Sequence, residues 1–155
     1  MWPSRSARRP LPTRSSRSWP RRSRRAFDQF EADLAARGCA ALAYRLSGDL
    51  LDHLCVVHLI GALRVIVALE SAEVVYVILV GNHDDSRPPL DVYRQLYALA
   101  GHEPPDQAGR DKPPCCDTET GEPTADSGWL DELLARMRQF RASDLRSTPG
   151  RRRNA

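Results

Sequence analysis

The sequence predicts an α+β fold: an N-terminal helical hairpin packed on a small antiparallel sheet of three or four strands, followed by a helix, with disordered basic tails. Three observations carry this. Residues 54–60, 63–69 and 74–80 are short apolar runs rich in Val, Ile and Leu, parted only by Gly61-Ala62 and by residues 70–73, which is the pattern of a strand meander. Phe27, Phe30 and Leu34 recur at helical spacing ahead of those runs. The arginines crowd into the two ends, where no apolar periodicity accompanies them.

Taken in order, residues 1–25 are Arg, Ser and Pro with no apolar face, so ordering them would not be offset by burial. One reading is a disordered tail, or a start placed too far upstream. The other is an arm for nucleic-acid phosphates with Trp2 and Trp19 as stacking residues. The fold then spans 26–101. A first helix begins at Ala26, with Asp28, Glu31 and Asp33 toward its start, Arg37 in its last turn and Gly38 as its stop. A second short helix over 39–46 completes the hairpin, and Ser47-Gly48-Asp49 breaks it. Of the three strands, 74–80 is the most apolar and is expected at the centre of the sheet. Arg64 shares a strand face with Ile66 and Ala68, so it must reach solvent or find an acidic partner. Asp91 is the N-cap or a first-turn acid of a helix whose inner face is Val92, Leu96 and Leu99, and Gly101 ends it. Residues 102–126 read as a Pro/Gly-rich linker and 127–142 as an amphipathic helix carrying Trp129, Leu130, Leu133, Leu134, Met137 and Phe140. That helix either packs on the sheet or offers its face to a partner. Residues 143–155 read as a second disordered tail.

The net charge of +3 conceals a segregation. Nine arginines and no acid lie in 1–25 and three more arginines in 151–153, so the body between them is acidic. Basic tails on an acidic body argue for nucleic acid more weakly than a basic patch on a fold. No apolar run approaches the roughly 18 residues of a membrane span. Positive charge at the N-terminus is not followed by an apolar stretch, so no secretory signal is read, the four cysteines are expected as reduced thiols, and the expected location is cytoplasmic.

Chemistry is sparse in the pattern. Cys115-Cys116 lacks metal-ligand spacing and no second cysteine pair completes a zinc site. Cys55 and His58 fall on opposite faces of one strand. No metal and no cofactor are therefore expected. Nucleophile-elbow and phosphate-loop signatures are missing. What remains is a polar cluster at the end of the sheet, Arg64, His83, Asp84, Asp85, Arg87, Asp91 and Tyr93. A histidine near neutrality beside an arginine that stabilises a phosphate would suit metal-free RNA cleavage. The plainer reading is a solvated strand end.

Residues 61–67 (GALRVIV), a strand bearing an arginine followed by branched residues, and residues 77–85 (VILVGNHDD) leading to Asp91-Val92-Tyr93 resemble the RelE/ParE superfamily of type II toxin–antitoxin toxins, over about residues 26–101. The resemblance implies a small toxin neutralised by a cognate antitoxin, as a homodimer or a heterotetramer with it. RelE-like members cleave mRNA on the ribosome and ParE-like members inhibit gyrase. It implies catalytic roles for Arg64 on the scissile phosphate, His83 as acid or base and Tyr93 in positioning a base. Where the family carries an Arg or Lys on the preceding strand this chain has His58, and its only lysine is Lys112. The alternatives are a non-catalytic member that blocks gyrase or only binds antitoxin, and a nucleic-acid-binding protein acting through the Arg-rich arm.

Overall fold

The computed structural model describes residues 19–46, 54–71, 74–103, 114–116 and 127–146. Trp2, most of the N-terminal arm, His53, the bulk of the expected linker and the C-terminal tail from residue 147 lie outside them. The described elements are α1 (Arg21–Arg37), a 3₁₀ turn (Gly38–Ala41), β1 (Tyr44–Arg45), β2 (Leu54–His58), β3 (Leu63–Leu69), β4 (Val75–Asn82), a 3₁₀ turn (Pro88–Leu90), α2 (Val92–Ala100) and α3 (Ser127–Arg146). The class is α+β: one helix, then a four-stranded sheet in the order β1-β2-β3-β4 with antiparallel neighbours, then two further helices. Among the described residues no helix is long and apolar enough to cross a membrane.

Two expectations about this scaffold are corrected. The helical hairpin is a single α-helix, because Gly38 leaves it at positive φ (59°) and residues 38–41 tighten into one 3₁₀ turn before the chain becomes extended at Tyr44–Arg45. Ala-rich composition favours helix, but pairing of Tyr44 with Val56 and Arg45 with Cys55 overrides it. The most apolar strand, β4, lies at the edge of the sheet; β2 and β3 are central. Apolarity here reports cover on both faces of a strand rather than its place in the order.

α1 also starts five residues before the expected boundary. Trp19 stands edge-on to Phe27 with ring centroids 5.4 Å apart, and that contact gives the arginine-rich first turn an apolar anchor. Trp19 is thereby engaged in the protein's own packing.

The sheet is covered on both sides. Phe27, Phe30 and Leu34 of α1 pack with Val65, Val67, Leu69 and Val75, together with Cys39, Cys55 and Cys115. On the other face Leu54, Val56, Ile66, Ala68, Ile78 and Leu79 meet Val92, Leu96 and Leu99 of α2 and Leu130, Leu133, Leu134 and Met137 of α3. α3 thus packs on the sheet, and Arg136 ties it to α2 by donating to the Ala100 carbonyl at 2.7 Å. The expected reduced thiols are not found: Cys39 pairs with Cys116 and Cys55 with Cys115 as disulfides. Residues far apart in the chain meet under α1, a proximity that no local spacing signals.

β3 and β4 pair with one irregularity. Ile66 faces Leu79 and Val67 faces Val77, so β4 carries an extra residue at Ile78. Ile78 and Leu79 consequently both join the α2–α3 side. From there to the end of the strand the alternation is reset, and Gly81 comes opposite Arg64 on that same side.

Candidate active site

The α2 side of the sheet ends in polar residues where the apolar packing stops. On β2 the face that carries Leu54 and Val56 runs on to His58; on β3 the face that carries Ile66 and Ala68 runs back to Arg64; His58 and Arg64 are direct cross-strand partners. β4 delivers His83 just past its last residue, and the ladder continues there, since the His83 amide donates to the Ala62 carbonyl at 2.9 Å. α2 approaches this corner closely at Gly81, where a β-carbon would stand 3.3 Å from Val92 Cβ. That proximity sets the residues on either side of Val92, Asp91 and Tyr93, beside His83.

Asp91 organises the corner. It is 5% exposed and both carboxylate oxygens are engaged. Oδ1 accepts from His83 Nδ1 at 2.7 Å and from the Asp84 amide at 2.9 Å; Oδ2 accepts from the Tyr93 and Arg94 amides, each at 3.1 Å. The second pair is the N-cap of α2. Burial pushes the carboxyl upward, but the bond from His83 and those from the Asp84 and Arg94 amides outweigh it and hold the group below its ordinary value. Asp91 is therefore ionised near neutrality. An ionised acceptor requires the proton on Nδ1 of His83, so the neutral ring presents Nε2 as its basic nitrogen.

Tyr93 stands edge-on to the His83 ring with centroids 5.0 Å apart. Its hydroxyl lies 3.0 Å from that of Tyr44, which in turn lies 3.0 Å from His58 Nε2. Burial first, and then the Tyr44 hydroxyl, raise the Tyr93 phenol far above its ordinary value, while the neighbouring Arg64 guanidinium works the other way. Tyr93 thus stays a neutral hydroxyl at any physiological pH. Arg64 is half-buried and so keeps part of its side chain at the surface, and among the described residues no acid pairs with it. Its Nη1 donates to the carbonyls of Gly61 at 2.8 Å and Leu63 at 3.3 Å, and its Nε is buried with no partner.

Arg64, His83 and Tyr93 are thus neighbours at one corner. Three further members carried weaker signals. Asp91 is visible as a helix cap, but nothing local shows that its second oxygen orients a histidine. His58 enters as the direct cross-strand partner of Arg64. Tyr44 lies where composition predicts helix, and only the β1–β2 register brings it in. Asp84 and Arg87 form a neighbouring turn (2.9 Å) in which hydrogen bonds from Ser86 and Arg87 lower the Asp84 carboxyl.

Ligand atoms of His83, Asp85 and Asp91 lie within 4.8 Å of one another, the arrangement nearest to a metal-binding set at this corner. The fit is poor. Asp91 already accepts from four donors, and a cation would have to displace the proton that His83 gives it. The corner fits proton transfer beside an anion better than metal binding. Comparison of the chain with family models, with curated proteins and with solved structures returns no match.

Proposed function

We propose that this chain is the toxin of a type II toxin–antitoxin pair, a RelE-like metal-free endoribonuclease that acts on mRNA at the ribosome in the cytoplasm, with its cognate antitoxin as protein partner. The observation that carries the chemistry is the His83–Asp91 pair, oriented at 2.7 Å and set beside Tyr93 and Arg64. His83 Nε2 takes the proton of a ribose 2′-hydroxyl, and that oxygen attacks the adjacent phosphorus. The bond to the 5′-oxygen breaks, leaving a 2′,3′-cyclic phosphate and a 5′-hydroxyl. Arg64 offsets the charge that grows on the phosphate oxygens. The Tyr93 and Tyr44 hydroxyls, in line with His58, supply a path for the proton that the departing 5′-oxygen requires. The resemblance of residues 61–67 and 77–93 to the toxin family supplies the substrate class.

Purified full chain, stripped of bound metal and incubated with programmed ribosomes in magnesium buffer without added transition metal, is expected to cut mRNA at defined codon positions and to leave cyclic phosphate ends. His83→Ala should lower the rate by about 10²–10⁴, the usual contribution of a general base. Uncut mRNA, or cutting that His83→Ala leaves intact, would remove this reading.

One observation favours a second reading. Arg64 Nη1 is already held by two backbone carbonyls, so an incoming phosphate must compete for it. A non-catalytic member that blocks gyrase or only binds antitoxin needs no such competition. Growth arrest by the full chain without mRNA cleavage would select it.

A further inference from the structure

On the α1 side of the sheet the four cysteines meet at one place. Cys39 follows α1, Cys55 lies in β2, and Cys115 and Cys116 come from the segment that bridges to β1 at Tyr44–Pro114. The two disulfides are not separate staples, because Cys39 Sγ also lies 3.7 Å from Cys115 Sγ, across the pairs. Four thiolates around a tetrahedral zinc with Zn–S bonds of about 2.3 Å stand about 3.8 Å apart. The contact across the pairs already has that spacing. Three of the four are buried, and Cys116 is half-buried, which leaves the cluster one side for entry.

A second observation is independent of the sulfurs. Arg45 is the direct cross-strand partner of Cys55, so its side chain leaves the sheet on the cysteine side. Its Nε is buried and has no hydrogen-bond partner among the described residues. A buried donor without an acceptor costs about 1–3 kcal/mol. Disulfide sulfur is a poor acceptor for it, whereas a metal-bound thiolate is a strong one, and such outer-sphere donors are usual around zinc–thiolate sites.

We propose that Cys39, Cys55, Cys115 and Cys116 form a four-thiolate zinc site when reduced, with Arg45 as a positioning residue that donates to the thiolates. In forming it, each disulfide is reduced by two electrons, either from two thiols that become a disulfide and give up their protons, or from a phosphine that becomes its oxide while water supplies the oxygen and both protons; one S–S bond breaks and two S–H groups form. Zn²⁺ then makes four Zn–S bonds and four protons leave to solvent, giving a dianionic unit that the Arg45 guanidinium partly offsets. The metal would fasten the 114–116 segment to the sheet. This site lies on the opposite face from His83, and the inference does not depend on the nuclease reading.

The test uses the full chain, reduced with a water-soluble phosphine, stripped of metal and given one equivalent of zinc chloride. Native mass spectrometry should show one zinc per chain, and all four thiols should alkylate at least about tenfold more slowly than in the reduced metal-free chain. Cobalt chloride in place of zinc should give sulfur-to-cobalt charge-transfer absorption and the intense visible bands of a tetrahedral site. Arg45→Ala should weaken zinc binding by about 10–100-fold, and Cys116→Ser by at least as much. No zinc uptake by the reduced chain would overturn the proposal. So would uptake that leaves the thiols unprotected, or a Cys116→Ser variant that binds zinc like the parent. If Cys116→Ser precipitates, thiol protection in the unsubstituted chain decides.

Discussion

Asp91 holds His83 and the start of α2 with the same carboxylate: Oδ1 accepts from His83 Nδ1 at 2.7 Å while Oδ2 caps the Tyr93 and Arg94 amides. One side chain therefore joins the end of β4 to the first turn of the helix, and the orientation of the histidine is tied to the integrity of that turn. An amide in its place cannot accept from all four donors. Asp91→Asn is expected to cost about 1–2 kcal/mol from the donor left unpaired. It should also let the amide nitrogen donate to His83 Nδ1, moving the ring proton to Nε2 and removing the base. RNA cleavage should fall about 100-fold or more with the fold retained. Nitrogen NMR of the His83 ring reads the tautomer directly; an unchanged tautomer in Asp91→Asn would refute the assigned role.

The same carboxylate sets an acid limit to stability. Its folded pKa is below the ordinary value, so the unfolded chain takes up the proton first as pH falls. The contribution is complete above the unfolded value of about 3.9 and is lost as pH drops through the lower folded value. Denaturant unfolding between pH 6 and pH 2 should show a steeper loss in the parent chain than in Asp91→Asn, which lacks this titration.

Tyr93 sets the opposite limit. Its phenol is raised in the folded state, so its contribution is complete below the unfolded value of about 10 and is lost as pH rises beyond it. Tyr93→Phe removes the ionisable group. Unfolding midpoints between pH 8 and pH 11 should decline in the parent chain and stay flatter in the variant.

α3 either stabilises this chain or serves a partner, and its burial decides. Leu130 is 1% exposed and Leu133 2% against the sheet and α2. Leu130→Ala is expected to cost about 2–5 kcal/mol in the isolated chain, the usual range for such a truncation. An unfolding midpoint equal to the parent's would mean that the helix does not pack this way in solution.

The strands were legible because their apolar runs are unambiguous: β3 has the expected limits, and the split of Ile66 and Ala68 from Val65 and Val67 follows from alternation alone. α2 was legible from its cap and its glycine stop. β1 was not, since Tyr44–Arg45 is made a strand by its partner in β2 and carries no strand pattern of its own. The cysteine cluster was hidden because Cys39 and Cys116 are 77 residues apart in the chain. The site was half legible. Arg64, His83 and Tyr93 are polar residues at element ends, but their meeting depends on the extra residue at Ile78, which resets β4 so that Gly81 faces Arg64. A run of seven apolar residues does not disclose a one-residue irregularity within it.

Gly81 is where that register meets the placement of α2. It faces Arg64 across the ladder, and a β-carbon on it would stand 3.3 Å from both Val92 Cβ and Val92 Cγ2. Val92 is fully buried between Asp91 and Tyr93 in sequence, so it cannot yield without carrying them along. Gly81→Ala is expected to destabilise the chain by about 1–3 kcal/mol through overpacking. It should also lower RNA cleavage about 10–100-fold, because displacing reacting groups by a fraction of an ångström to an ångström has effects of that order. Gly101→Ala is the control at the other end of the same helix. There φ is 78° and an added β-carbon would meet Arg136 Nη1, so stability should fall while the corner stays in place. Rates normalised to folded protein should therefore drop for Gly81→Ala and hold for Gly101→Ala; equal effects would mean that α2 placement does not govern the site.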